Sequence, residues 1–346
     1  MIDVDAPLYL GVDAGGTFTR SALIDGSGAV IGRGTAGAAN HRTTPPGAVR
    51  ASVREAIVAA LSEASTTGGD APTPTVRVRA IAIGWSGLEE PGAEADARAF
   101  VGDVVDAELA LVDSDVMAAH VGAFAGAPGV LVTAGTGSIA LAVDARDVRT
   151  RVGGWGHRFG DEGSAAWIGT EGVRTALQGV DGRGPPTGLW EALLAYARID
   201  AAPGSHDAAT VRSVTAWLYE TSRHLNDIAG FAQVVDRVAR LGDAAAIEVL
   251  ERAGLELAHH VIRASAAVAD LDPLPVAGAG GVWSGSERAR EACRAAVAAR
   301  LPSRSLAWRD PVADAATGAA WMAMRADGHT IPAGARTPGE ASARRV

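Results

Sequence analysis

Two short apolar runs in this chain each break on a glycine-rich turn and then resume. Residues 8–12 lead into Asp13-Ala14-Gly15-Gly16-Thr17-Phe18-Thr19-Arg20 before residues 21–24 restore the apolar pattern, and Asp25-Gly26-Ser27-Gly28 turns the chain into residues 29–34. Residues 130–133 likewise reach Ala134-Gly135-Thr136-Gly137-Ser138, and residues 139–143 are apolar again. Runs of this length bounded by glycine predict strands joined by tight turns. Strand, GTGS, strand is a hairpin, unlike the strand-to-helix phosphate loop of the common nucleotide folds.

Around these hairpins the period changes to that of helices. Val49, Val53, Ile57 and Leu61 recur at helical spacing and predict a helix over 48–64. A strand over 76–83 then reaches Gly84-Trp85-Ser86-Gly87, a helix is expected over 93–105, a strand over 109–112, and a helix over 116–124 closed by Gly126 and Pro128. Three strands, helix, strand, helix, strand, helix describe an α/β domain. The second half repeats the plan loosely. Its hairpin carries Gly153-Gly154-Trp155-Gly156-His157-Arg158-Phe159-Gly160-Asp161-Glu162-Gly163-Ser164 into a helix over 165–178. Helices follow over 189–197, 208–223, 228–241 and 244–269, then a strand over 274–277 ending in Gly278-Ala279-Gly280-Gly281-Val282-Trp283, and helices over 288–299 and 313–324. Residues 200–207 read as loop, and the Gly/Pro/Thr/Arg-rich tail from Asp327 as largely disordered.

Composition narrows the chemistry. With 346 residues, 48% hydrophobic and 21% charged, the chain suits two globular domains with sizeable cores. It has no apolar run of membrane-spanning length, and its start lacks the basic segment of a signal peptide. The single cysteine, Cys293, excludes an intramolecular disulfide and a cysteine-rich metal site; together these features favour the cytoplasm. A net charge of −9 argues against nucleic acid as a main partner. All 31 basic residues are arginine, so a Walker-type loop with its phosphate-reaching lysine is impossible. Any ATP bound here needs Mg²⁺, backbone donors and arginine to offset its charge.

The glycine turns and nearby carboxylates are the candidate chemistry. Gly15, Gly16, Gly135 and Gly137 let backbone N–H groups approach phosphate oxygens, with hydroxyls as further donors. Asp13 at a strand end suits Mg²⁺. Asp113 and Asp115 stand between a strand and a helix, where a carboxylate serves as base or merely caps the helix. GTGS and Gly15-Gly16 also read as plain hairpin turns.

Four stretches in order resemble the sugar-kinase branch of the actin-like ATPase group: residues 11–17 (GVDAGGT), 132–138 (VTAGTGS), 153–164 (GGWGHRFGDEGS) and 278–282 (GAGGV). The third, with Asn40-His41, is similar to what N-acetylglucosamine kinases carry. The resemblance covers about the first 325 residues. It implies two ribonuclease-H-like α/β domains, 1–125 plus 314–330 and 126–313, with an interdomain cleft and a tail at 331–346. It further implies ATP on Gly15, Gly16, Thr17, Gly135, Thr136, Gly137, Ala232, Gly280 and Gly281, and Mg²⁺ held through water by Asp13. Asn40, Asp115, Gly154, Trp155, Gly156 and Asp161 would line the sugar site, with Asp115 as base and Asp113 its rival. Trp155 has an equal claim as packing for the cleft floor, and His157 suits a structural hydrogen bond better than a metal, having no second ligand at suitable spacing.

The implied activity is ATP-dependent phosphorylation of an amino sugar at the 6-hydroxyl. Glucosamine is favoured over N-acetylglucosamine: Asp113 adds an acceptor for an ammonium, and Arg42 stands where the resembling kinases have an apolar tryptophan. The partners expected are ATP and a small amino sugar, without nucleic acid or membrane, with a homodimer the assembly to test. Two other classes compete. Activator ATPases of the same superfamily carry cluster-ligating cysteines, which one cysteine does not match. A sugar-sensing regulator would require a DNA-binding segment before the first strand.

Overall fold

The computed structural model describes residues 7–40, 44–66, 77–87, 101, 105–202, 204–220 and 225–332. The chain divides into two compact units, 1–131 with 144–148 and 308–346, and 132–143 with 149–307.

The first unit is built on a five-stranded sheet of β1 (Tyr9–Ala14), β2 (Thr19–Ile24), β3 (Val30–Ala36), β4 (Val78–Trp85) and β5 (Ala107–Ser114), in the order β3-β2-β1-β4-β5. β1 to β3 form an antiparallel meander, whereas β4 runs parallel to both β1 and β5. α1 (Pro46–Thr66) presents Val49, Val53 and Ile57 to Leu10, Val12, Leu23, Ile81 and Ile83, all buried. Ile57 is 1% exposed, and Ile57→Ala should cost about 2–5 kcal/mol. α2 (Asp115–Phe124) follows β5 directly. The two central strands are apolar almost throughout, as expected of strands covered on both faces.

The second sheet has β6 (Gly129–Ala134), β7 (Ser138–Val143), β8 (Arg149–Gly153), β9 (Leu274–Ala279) and β10 (Leu306–Arg309), in the order β10-β9-β6-β7-β8. Read from β8, this is the order of the first sheet, so the expected repetition holds and the fold is a pair of ribonuclease-H-like units. The helices are α3 (Ala165–Asp181), α4 (Leu189–Ala197), α5 (Ala208–Leu218), α6 (Leu225–Arg240), α7 (Ala244–Ser265), the short α8 (Gly281–Gly285), α9 (Glu287–Arg300) and α10 (Ala315–Ala326). β8, β10 and α8 were not anticipated, because β8 and β10 are short and half-polar and α8 lies inside a glycine run.

The helix expected over 93–105 falls almost wholly outside the described residues, as do His41, Arg42 and residues 333–346. The reading of disorder from Asp327 onward is corrected at its start. Tyr9 donates to Asp327 Oδ2 at 2.9 Å, Arg79 Nε donates to its Oδ1 at 2.9 Å, and the Asp327 side chain is 7% exposed. Tyr9 Oη also lies 3.1 Å from His329 Nδ1. Glycine and threonine content alone hides these ties, which depend on partners more than 200 residues away.

Candidate functional site

In the first unit one row of the sheet carries the chemistry. Arg20, Asp13, Gly84 and Asp113 are register neighbours across β2, β1, β4 and β5. Asp13 is the one partly exposed residue of the otherwise buried β1, and Arg20 Nη1 lies 3.9 Å from its Oδ2. Burial, then the charge of Asp115, pushes the Asp13 carboxyl up to about 7, against the opposing pull of Arg20. Gly84 lets α2 come close: a Cβ there would sit 2.6 Å from Ala118 Cβ and 3.2 Å from Asp115 Cα. The start of α2 is thereby held over the strand ends.

Neither aspartate caps that helix. Ser114 is the N-cap, accepting from the Met117 N–H at 3.3 Å, Asp115 is the first helical residue, and Asp113 belongs to β5 with its Oδ1 taking the Ser114 N–H at 2.7 Å. The β1–β2 turn is closed by the Gly15 N–H to the Phe18 carbonyl at 3.2 Å, while the Gly15 carbonyl takes the Ala39 N–H at 3.0 Å. Asn40 is thus brought beside the turn, its Nδ2 3.7 Å from where a Cβ on Gly16 would lie. Ala39 is fixed from below by the Trp85 indole N–H at 2.8 Å.

In the second unit the GTGS turn and the 153–164 loop are interlocked. The Ser138 N–H donates to Asp161 Oδ1 at 3.3 Å, and the Ser138 hydroxyl donates to the Glu162 carbonyl at 2.7 Å. A Cβ on Gly137 would meet Asp161 Oδ2 at 2.8 Å, so a larger residue there has to displace the Asp161 carboxylate. Asp161 is 9% exposed at φ 59°; burial raises its pKa, partly offset by the Ser138 N–H. Ser164 caps α3 through the Trp167 N–H at 3.2 Å, and the Ala165 and Ala166 N–H groups bond the carbonyls of Gly135 and Thr136. Gly280, at φ 94°, packs against the same turn, where a Cβ would stand 2.5 Å from the Ala134 carbonyl. Around Gly135 and Gly281 there is open space, which is what close approach of a ligand to the backbone requires.

Two buried carboxylates, each beside a glycine turn with backbone donors, match what the sequence shares with nucleotide-using enzymes, and comparison with known proteins agrees. The sequence matches the BadF/BadG/BcrA/BcrD ATPase family over residues 10–323. The chain belongs to that family. It is 28% identical over 189 residues to the N-acetyl-D-glucosamine kinase of Dictyostelium discoideum, an overlap of 54% of this chain and 59% of that protein. It is 27% identical to the glucosamine kinase of Vibrio cholerae, over 72% of this chain and 77% of that one. Among solved structures, a candidate N-acetylglucosamine kinase from Chromobacterium violaceum aligns with a TM-score of 0.69 at 26% identity, covering 91% of this chain and 98% of that one. A glucokinase from Streptomyces griseus, at a TM-score of 0.54 and 16% identity, shares the fold.

For this ATPase-family chain the first unit gathers Asp13, Gly15, Gly16, Thr17, Asn40 and Asp115 at one end of its sheet. The second gathers Gly135, Thr136, Gly137, Asp161, Gly280 and Gly281. Ala232 lies on α6 with 7% exposure. Gly154 and Gly156 lie in the loop with φ of 74° and 86°. Trp155 is 77% exposed within its unit, with the Arg151 guanidinium 5.9 Å from its ring, so it does not pack a floor there. His157 is exposed, and among the described residues no three His, Cys, Asp or Glu side chains converge as a metal cluster. Three charged or titratable neighbours of these residues were missed: Arg20 beside Asp13, and Glu162 with His260 3.9 Å apart beside the 153–164 loop. Arg20 was legible, because centring the first turn on residues 15–18 pairs it with Asp13. His260 was not, since nothing local in α7 marks it.

Proposed function

We propose that this protein transfers the γ-phosphoryl group of ATP to the 6-hydroxyl of an amino sugar, glucosamine in preference to N-acetylglucosamine. The observation that carries the reading is the pair Asp13 and Asp115, brought together at the mouth of a glycine turn where burial and mutual repulsion oppose a second negative charge. A divalent cation relieves that repulsion, so the site fits Mg²⁺ held by Asp13 through water; when bound, the ion spreads phosphate charge. Asp115, on the first turn of α2, accepts the proton of the sugar hydroxyl as its oxygen bonds to phosphorus. Thr17, Thr136 and the turn N–H groups take phosphate oxygens, and Arg20 supplies the cationic role that lysine fills elsewhere. Asn40 and Asp161 take sugar hydroxyls.

Glucosamine is supported by acidic acceptors, Asp113 among them, and by Arg42 in the sequence. N-acetylglucosamine is the second reading, supported by the activity named for the Dictyostelium relative. An activator ATPase fits poorly: Cys293 is fully buried, and burial pushes its thiol up to about 12, so it offers no cluster ligand at a surface. Measuring kcat/KM for both sugars with ATP and Mg²⁺ tests the reading. Higher efficiency with glucosamine is expected; preference for the acetylated sugar overturns the choice, and no sugar-dependent ADP release overturns the kinase.

A further inference from the structure

We propose that His260 is a positioning residue for the sugar-binding loop, a clamp that joins the GGWGH and GDEGS segments through one edge of its imidazole. This rests on the proposed function for its effect on substrate, though not for the clamp itself.

The loop from Gly153 to Gly163 is costly to hold. Gly153, Gly154, Gly156, Asp161 and Gly163 all have positive φ between 59° and 86°, and the stretch has no ladder of its own beyond Gly153. α7 lies beneath it. A Cβ on Gly163 would meet the Ala253 carbonyl at 2.6 Å and Leu257 Cγ at 2.7 Å. One turn further along the same helix face is His260, 7% exposed. Its Nδ1 is 2.9 Å from the Glu256 carbonyl, which can only accept, so the Nδ1 proton is directed into the helix. That leaves Nε2 facing outward, 3.9 Å from Glu162 Oε2 and directly against Gly153, where any side chain would collide with the ring.

The ring therefore lies directly against Gly153 at one end of the loop and 3.9 Å from the Glu162 carboxylate at the other. Glu162 is in turn anchored by the Ser138 hydroxyl at its carbonyl, next to Asp161. On the other side Arg151 holds the loop from β8, its Nε donating to the Gly153 carbonyl at 3.2 Å and its Nη2 to the Gly154 carbonyl. Gly154, Trp155, Gly156 and Asp161 are thus suspended between a guanidinium on one side and an imidazole on the other. Misplacement of such a loop by about 1 Å is enough to cost orders of magnitude in a positioned reaction.

The two amide replacements separate the two ring nitrogens. His260→Asn keeps a donor near Nδ1 and removes the outward edge; His260→Gln keeps a donor near Nε2. The full-length variants are compared by steady-state kinetics with glucosamine and by trypsin digestion without ligand. Expected for His260→Asn is a sugar KM raised at least about tenfold with ATP KM within about twofold, a pattern of lost sugar positioning. His260→Gln should restore sugar KM to within about threefold. Trypsin should cut after Arg158 faster in His260→Asn than in wild type, with cutting after Arg146 unchanged. Equal sugar KM in the Asn and Gln variants, equal loss of ATP and sugar affinity, or unchanged cutting after Arg158 overturns the clamp. If His260→Asn does not fold, Glu162→Gln, altered at a half-exposed side chain, is read in the same way. Wild type without sugar-dependent turnover defeats the proposed function, and the Arg158 cutting rate then decides the clamp alone.

Discussion

Replacing Asp13 by asparagine should stabilise the protein while disabling it, and the stabilisation should depend on pH. The carboxyl stands at about 7 instead of 3.8, pushed up first by burial and then by Asp115. A folded-state pKa above the unfolded value means that the native state binds the proton more tightly. The favourable contribution is complete below about pH 4 and is lost as pH rises through about 7. Roughly three pK units at about 1.4 kcal/mol each give a ceiling near 4 kcal/mol at pH 8. Arg20 at 3.9 Å is itself half exposed, and water reaches the strand end, so about 2 kcal/mol is the expected gain for Asp13→Asn. For a unit of this size that is a Tm increase of roughly 4–8 °C. The assay is thermal unfolding of both proteins at pH 5 and pH 8 without nucleotide. The gap should be wide at pH 8 and narrow at pH 5, and Mg²⁺ with ATP should raise the Tm of wild type more than that of the variant. Asp13→Asn less stable than wild type at pH 8, or a gap unchanged between the two pH values, refutes the reasoning.

Asp115→Asn should lower kcat by about 10²–10⁴-fold with sugar binding still measurable by calorimetry, whereas Asp113→Asn should retain most turnover, because Asp115 and not Asp113 is the carboxylate whose charge acts on Asp13; the reverse outcome exchanges their roles. Gly137→Ala should weaken both ATP use and sugar binding, since the added Cβ lands 2.8 Å from Asp161 Oδ2, and calorimetry showing a loss confined to ATP would contradict that contact. Native protein should react negligibly with a thiol reagent at pH 8 and release one equivalent on unfolding, as Cys293 is fully buried with its thiol raised to about 12.

Much of the fold was legible because its signals are local. The strand at 8–12, the helix carrying Val49, Val53 and Ile57, and the two hairpins follow from period and glycine placement, which report backbone geometry directly. β10 was not legible: Leu306-Ala307-Trp308-Arg309 is short, and only pairing with β9 makes it a strand. Residues 327–329 read as tail because their partners, Tyr9 and Arg79, are remote in sequence. The N-cap of α2 was left open between base and cap at Asp113 and Asp115 for a related reason. Asp113, Ser114 and Asp115 are all good caps in isolation, and only the register that ends β5 at Ser114 chooses among them.

The same distinction runs through the site. Asp13, Asp115 and Asp161 could be named from motifs, but what each does depends on which charge faces it, and that is a property of the sheet. Asp13 and Asp115 are separated by more than a hundred positions and meet because β1, β4 and β5 run parallel with Gly84 between them. Asp161 is held by Ser138 because the GTGS turn and the 153–164 loop lie side by side in the second unit. In both cases a glycine stands where a carboxylate comes close to backbone or to a helix. The glycines that a sequence reading assigns to phosphate approach therefore have a second duty, making room for the acids. That is why Gly137→Ala separates the two views: a pure phosphate-loop glycine would affect nucleotide alone, whereas one that also seats Asp161 must affect both ligands.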